Sequence, residues 1–284
     1  MKVMFAVPSY TKAPCLEFHM SAMATQNLLI SQGIHVEWDE NVARLIGEFT
    51  THWRYRPGDP YVAKSRNVLS SEFMRDHPDA DCIFMLDDDV GWEPEAVLRA
   101  LRHPGDIVAG VYPKKQDDIL NEDVFLADGT KIPAGSLFWK NPGPTHPWPV
   151  QMLFSADTHL PIIDEHGFYE AALVATGFLR IKRHVMERCQ QDSGEYPEED
   201  KVYGILKCWD FFRTGFIPNE ENGKIGRWWG EDFFFSFMAR QLGFRIWVDP
   251  DINFTHSGQK VWSGNFKNAL EAKIVEMRKM KDAA

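Results

Sequence analysis

The chain has 284 residues, 44% hydrophobic and 25% charged, values that exclude a disordered or low-complexity protein and predict a substantial core in one large α/β domain or two smaller ones. With 31 basic and 41 acidic residues the formal net charge is −10 at pH 7, the wrong sign for a surface that grips a polyanion throughout, so a nucleic acid partner would need a local basic patch. Cys15, Cys82, Cys189 and Cys208 lie far apart with no CxxC or Cys/His pairing, which excludes a zinc motif or disulfide framework and reads as buried thiols in a reducing compartment.

Lys2 to Val7 is apolar and β-branched and stops at Pro8-Ser9-Tyr10, the pattern of a buried first strand running into a loop. That apolar stretch is too short for a signal peptide, and no run in the chain reaches the roughly 18 apolar residues of a membrane span, so a soluble, cytoplasmic protein is expected. Leu16, Met20, Met23 and Ile30 follow helical spacing up to Gly33, and Ile34 to Trp38 then reads as a second strand that closes a βαβ unit. Val62 to Met74 predicts a helix, Cys82 to Leu86 a fully apolar strand, Pro94 the first residue of a further helix, and Ile107 to Val111 another strand. Alternation of this kind argues for a mostly parallel sheet with both faces covered. Residues 133–149 and 192–200 read as long loops, Ala171 to Ile181 as one strand interrupted at Gly177, and Phe235, Met238 and Leu242 as a helix ahead of a strand at Arg245 to Val248. The last twenty residues predict a basic amphipathic helix with Lys267, Lys273, Arg278, Lys279 and Lys281.

The strongest chemical signal is Asp87-Asp88-Asp89 at the end of the Cys82–Leu86 strand, because α/β sheets bind ligands at the carboxyl ends of their strands. Three adjacent carboxylates repel one another; they form a solvated turn or helix cap, or they take a divalent cation, with residues 87 and 89 on one side and Asp88 on the other. Trp228-Trp229-Gly230-Glu231-Asp232 opens the Phe235 helix. Its carboxylates suit helix capping, and the flanking aromatic faces also suit a sugar or base with one carboxylate as general base. His256 reads as a hydrogen-bonded structural residue or as a third ligand beside two carboxylates. Ser65-Arg66-Asn67 lies in the helix before the Asp strand.

Taken in order, these residues resemble the GT-A class of nucleotide-sugar-dependent glycosyltransferases, close to the family 2 enzymes and their virus-encoded and Anp1-like relatives. The resemblance runs over Pro8-Ser9-Tyr10, an A-R-N-like Ser65-Arg66-Asn67 with Ser in place of the usual Ala, the D-x-D of Asp87 and Asp89 ahead of Trp92 and Pro94, Gly110-Val-Tyr112-Pro113, Ala175-Thr-Gly177-Phe178, Glu231-Asp232, and His256 with Ser257-Gly258. It implies an α/β fold of GT-A type, with a Rossmann-like, mostly parallel central sheet and helices on both faces. It also implies one catalytic domain over 1–264, with a nucleotide-binding half at 1–113, an acceptor half at 114–264 and a C-terminal helix at 265–284. The implied nucleotide pocket is Pro8, Ser9, Tyr10, Arg66, Asn67, Asp87 and Asp88. Asp87, Asp89 and His256 would hold Mn²⁺ or Mg²⁺, Asp232 with Glu231 would carry the catalytic base, and Gly177, Phe178, Trp228, Trp229 and Gly230 would face donor sugar or acceptor. The implied reaction moves a hexosyl or pentosyl group from a nucleotide-sugar, a UDP-sugar by preference, to a glycan hydroxyl or a hydroxymethylated DNA base, in the host cytoplasm if the gene is viral. A nucleotidyltransferase, or a non-catalytic nucleotide- or carbohydrate-binding module of the same fold, is the alternative.

Overall fold

The computed structural model describes residues 1–10, 13–39, 42–115, 118–119, 124–125, 131–132, 137–138, 148–158, 160–200, 204–217, 227–258, 261–268 and 270–271. Its centre is an eight-stranded sheet of β1 (Lys2–Ser9), β2 (Thr50–Pro57), β3 (Cys82–Leu86), β4 (Ile107–Gly110), β5 (Val150–Met152), β6 (Tyr169–Val174), β7 (Phe178–Lys182) and β8 (Ile246–Asp249). Their order across the sheet is β5-β6-β8-β4-β7-β3-β1-β2. β1 runs parallel to β2 and β3, and β4 parallel to β8. β7 is antiparallel to both β3 and β4, and β6 is antiparallel to both β8 and β5. The sheet is therefore mixed, which corrects the mostly parallel sheet expected from strand and helix alternation. The single strand expected over Ala171–Ile181 is two, β6 and β7, separated in the sheet by β8 and β4.

Alternation along the inner strands divides the core. Val3, Phe5 and Val7 join a cluster with Phe18, Ala22 and Leu29 of α1 (Leu16–Ser31) and Ala96, Val97 and Leu101 of α3 (Pro94–Arg102). Met4 and Ala6 join the other cluster, with Leu69 and Phe73 of α2 (Val62–Asp76), Val185 and Met186 of α4 (Arg183–Gln191), and Phe235 and Ala239 of α5 (Glu231–Gln241). Side chains on successive strand residues point to opposite faces, so a continuous apolar run such as β1 serves both clusters. Pro94 opens α3, where its missing N–H costs no helical hydrogen bond, and Gly33 beyond α1 takes φ +59.

α1 reverses its expected face. Phe18, Ser21, Ala22, Thr25 and Leu29 are buried, while Leu16, Met20, Met23 and Ile30 are exposed. The buried stripe also has helical spacing, and its polar members are used: Ser21 Oγ accepts from the Trp92 backbone N–H at 2.9 Å, and Thr25 Oγ1 accepts from the Trp92 indole at 3.0 Å. The second strand read at Ile34–Trp38 is His35–Asp39, which pairs antiparallel with Val42–Ile46 outside the main sheet. Its expected place beside β1 belongs to β2, a polar edge strand. The acidic stretch read as a loop from 192 contains the strand Glu195–Asp200, paired with Gly204–Trp209. Its Glu198 meets Lys64 of α2 at 2.8 Å and Arg56 of β2 at 3.3 Å, so charges that favour a loop in isolation are neutralised here. Residues 266–268 and 270–271 are helical, and the remainder of the predicted C-terminal helix, like most of the 133–149 loop, lies outside the described residues. No helix among the described residues is long and apolar enough to cross a membrane.

Candidate functional site

β1, β3 and β4 all end at the same side of the sheet, and antiparallel β7 begins there, with Phe178 opposite Leu86. A cleft of about 310 Å³ opens at that side. Its lining comes from the end of β1 (Pro8, Ser9, Tyr10), the start of α2 (Ser65, Arg66), the turn after β3 (Asp87, Asp88, Asp89), Tyr112 after β4, Thr176 before β7, the start of α5 (Glu231, Asp232) and His256. His256 reaches it because its strand, Asn253–Ser257, pairs with Val90–Gly91 immediately after the acidic turn.

The turn gives each of its three carboxylates a different partner. Asp87 accepts from Arg66 Nη2 at 2.9 Å and from the Tyr112 hydroxyl at 3.2 Å. Asp88 accepts from Ser9 Oγ, and burial nonetheless pushes its carboxyl up. Asp89 meets the Lys115 ammonium and, at 3.4 Å, His256 Nε2. Burial raises the Asp89 carboxyl, but His256 and Lys115 outweigh it and hold the group below the ordinary carboxylate range. This partition removes the repulsion that three adjacent charges would otherwise impose.

Arg66 is the hub of the floor. It is 3% exposed, binds Asp87, and pairs through Nε with Glu231 at 3.5 Å. Burial opposes its charge, but Asp87 and Glu231 overcome that and raise its pKa further, so it stays a cation. Burial, reinforced by Asp87, likewise keeps the Tyr112 phenol protonated, and its oxygen accepts the Gly177 N–H at 3.1 Å. A side chain at Gly177 would bring a Cβ to 2.4 Å from both Asp87 Oδ2 and the Tyr112 hydroxyl, so this turn requires glycine for close approach.

Asp232 differs from its neighbours. It sits in the first turn of α5 and accepts the Phe233 N–H at 2.7 Å, yet burial, with Glu231 adding like charge, pushes its carboxyl up to about 6. The helix N-terminus and Arg66 pull the other way and lose. Desolvation thus decides the balance at Asp232.

Several expected site residues are placed elsewhere. Asn67, next to Arg66, turns away from the cleft: its amide donates to Asp210 at 2.7 Å and its oxygen accepts the Phe212 N–H at 2.6 Å, which pins the 210–212 segment to α2. Phe178 is wholly buried against Phe84, Trp92 and Phe254, so it is core rather than pocket. Trp228 is 71% exposed, opposite Phe216 in a hairpin, and Trp229 packs edge-on against Phe237 at 5.3 Å; neither lines the cleft. Gly230 serves as the N-cap residue of α5. Conversely Thr176, Tyr112, Lys115 and Asp59 reach the cleft or its acidic turn without having been singled out for a role; Thr176 and Tyr112 stood inside quoted motifs, and that proximity was their only signal.

The expected metal set does not converge as a trio. Among the described residues no three His, Cys, Asp or Glu side chains meet as a metal site, and Asp87 is engaged by Arg66 and Tyr112. Asp89 and His256 remain as a pair. His256 Nδ1 lies 2.7 Å from the Pro113 carbonyl oxygen, which only accepts, so Nδ1 carries the hydrogen and Nε2 is the nitrogen presented beside Asp89. Carboxylate oxygen suits Mg²⁺ and Mn²⁺, and an imidazole nitrogen beside it shifts the preference towards a transition-metal ion.

No family model matches the chain, and no curated protein matches it. Among solved structures it is similar to A197 from STIV, at 14% identity and a TM-score of 0.40, over 93% of this chain and 95% of that one. A likeness of that size carries no functional argument.

Proposed function

We propose that the cleft binds a nucleotide-sugar and that the protein is a glycosyltransferase acting by direct displacement. The observation that carries this reading is the pairing of a carboxyl raised to about 6, Asp232, with the fixed cation Arg66 and the acidic turn in one cleft at the strand ends. A base with that pKa is ionised at neutral pH yet close enough to it to accept a proton efficiently. In the proposed step the acceptor hydroxyl gives its proton to the Asp232 carboxylate as its oxygen bonds to the anomeric carbon. The bond from that carbon to the diphosphate oxygen breaks, and its electron pair leaves on the nucleoside diphosphate. Arg66 lies where it can stabilise that departing charge, and Asp87 holds the guanidinium in position. Tyr10, 74% exposed at the rim, offers a face to the base, and Ser9 fixes Asp88. A divalent cation, held by Asp89 and His256 together with the diphosphate, would add positive charge at the leaving group.

The test is thermal stability with UDP, GDP, CMP and dTDP, each with and without Mn²⁺. One nucleotide should stabilise only with metal, by about 2.7 kcal/mol at one hundred times its dissociation constant. Asp89→Ala should lose that metal-dependent shift. Asp232→Asn should keep it and lose about 10²- to 10⁴-fold in transfer rate. No shift with any nucleotide, or equal loss of donor binding in both variants, would refute the role assignment.

A further inference from the structure

Three residues of the cleft each carry a buried side-chain atom with no hydrogen-bond partner among the described residues: Ser65 Oγ, Arg66 Nη1 and Thr176 Oγ1. All three residues line the cleft, and they are 1%, 3% and 1% exposed. Among other buried hydroxyls, Ser70 Oγ and Thr255 Oγ1 also lack a partner among the described residues but do not line the cleft, whereas two more are used. Ser71 Oγ donates to the Asn67 carbonyl at 2.7 Å, and Ser236 Oγ to the Asp232 carbonyl at 3.0 Å. A buried polar group without a partner is costly, and three in one cavity form a recognition surface that a ligand completes.

The chemistry of that ligand follows from the inventory. Two hydroxyls can each donate and accept, while Arg66 Nη1 only donates, so the complement is a group dense in oxygen atoms that can accept. The same cleft is lined by six carboxylates, Asp59, Asp87, Asp88, Asp89, Glu231 and Asp232; Arg66 pairs with Asp87 and Glu231, Lys115 with Asp89, and Arg56 and Lys64 with Asp59, so the cations present are already engaged. A ligand bringing a further carboxylate to this floor is repelled.

We propose that Ser65, Thr176 and the free Nη1 of Arg66 read the hydroxyl groups of a neutral sugar on the donor and discriminate against an acidic sugar. This rests on the nucleotide-sugar reading above, and makes Ser65 and Thr176 specificity-determining residues rather than catalytic ones. A site built to pair a hydroxyl rejects ligands that cannot supply one, because its own polar groups are then left stranded.

The test is calorimetric titration, in Mn²⁺, of the wild type, Ser65→Ala and Thr176→Val. The probes are UDP, GDP, ADP, CDP and dTDP, the glucose conjugate of each, and the glucuronate conjugate of whichever nucleotide binds. We expect the bare nucleotide to bind all three proteins alike. The glucose conjugate should bind the wild type more tightly than the bare nucleotide, and each substitution should weaken it about tenfold, about 1.4 kcal/mol. The unliganded melting temperature should not fall in either variant, since neither loses a hydrogen bond within the protein. Glucuronate should bind at least tenfold more weakly than glucose. Equal affinity of the glucose conjugate for all three proteins, or equal affinity of glucose and glucuronate conjugates for the wild type, overturns the proposal while leaving the nucleotide-sugar reading in place. If no nucleotide or conjugate binds the wild type, that reading falls and this one falls with it.

Discussion

Two arginines, both nearly inaccessible to solvent, are treated differently by the same sheet. Arg180, midway along β7 opposite Phe84, spends all three nitrogens on main-chain carbonyls: Nε and Nη2 on Ala100, Nη2 also on His103, and Nη1 on Gly105 and Asp106. These carbonyls end α3 and lead into β4, so a buried charge is neutralised by the negative end of a helix and by orphan acceptors that need donors. Arg66, at the carboxyl ends of the strands, is held by two carboxylates and leaves Nη1 unpaired. The difference separates an arginine that completes the fold from one that lines a cleft and has a donor without a partner among the described residues.

That contrast can be broken in several ways. The largest effect is expected for Arg180→Lys, which keeps the charge but cannot reach four carbonyls: a loss of about 3 kcal/mol or more in urea unfolding, against a much smaller stability loss for Arg66→Lys, whose deficit should appear in donor affinity. Equal stability losses would erase the distinction. Next is Asp232→Asn. A carboxyl whose folded pKa is raised to about 6 adds stability fully only below its unfolded value, and that contribution disappears as pH rises through about 6. Asparagine should therefore stabilise the protein by on the order of 3 kcal/mol at pH 8, with the gain vanishing near pH 4; parallel urea titrations at the two pH values measure it. Gly177→Ala should cost about 1–2 kcal/mol, because Asp87 and Tyr112 must retreat from the new methyl, and donor binding should fall with it. The smallest effect is expected at the exposed pair of Arg188 in α4 and Asp192 at its C-cap, where a double-mutant cycle should give about 0.3–0.5 kcal/mol.

Features written into contiguous residues were readable. The fully apolar Cys82–Leu86 run ends at charged residues, and Pro94 opens its helix, so strand, acidic turn and helix lie where their local chemistry puts them. Features that depend on neighbours distant in sequence were not. α1 carries two stripes of helical spacing, and its neighbours in the fold, β1, α3 and the Trp92 and Tyr55 rings beside Phe18, select the one that is buried. β2 is polar because it sits at the sheet edge, which no period within Thr50–Pro57 announces. In the same way, Arg66 and Asn67 are adjacent in sequence but part company, since successive helix residues point about 100° apart and only one direction leads to the cleft.

What the sequence by itself determined is the set of chemical groups and their carriers: an acidic turn at a strand end, an arginine in a helix, a Glu-Asp pair opening another, and a histidine after a late strand. Only the tertiary structure decided their partners, and with them their charges. Asp89 is lowered by its contacts with His256 and Lys115, whereas Asp232 is raised by the burial that the assembled sheet and helices impose. Electrostatic interaction and desolvation depend on distance in space, which covalent order does not encode until the chain has folded.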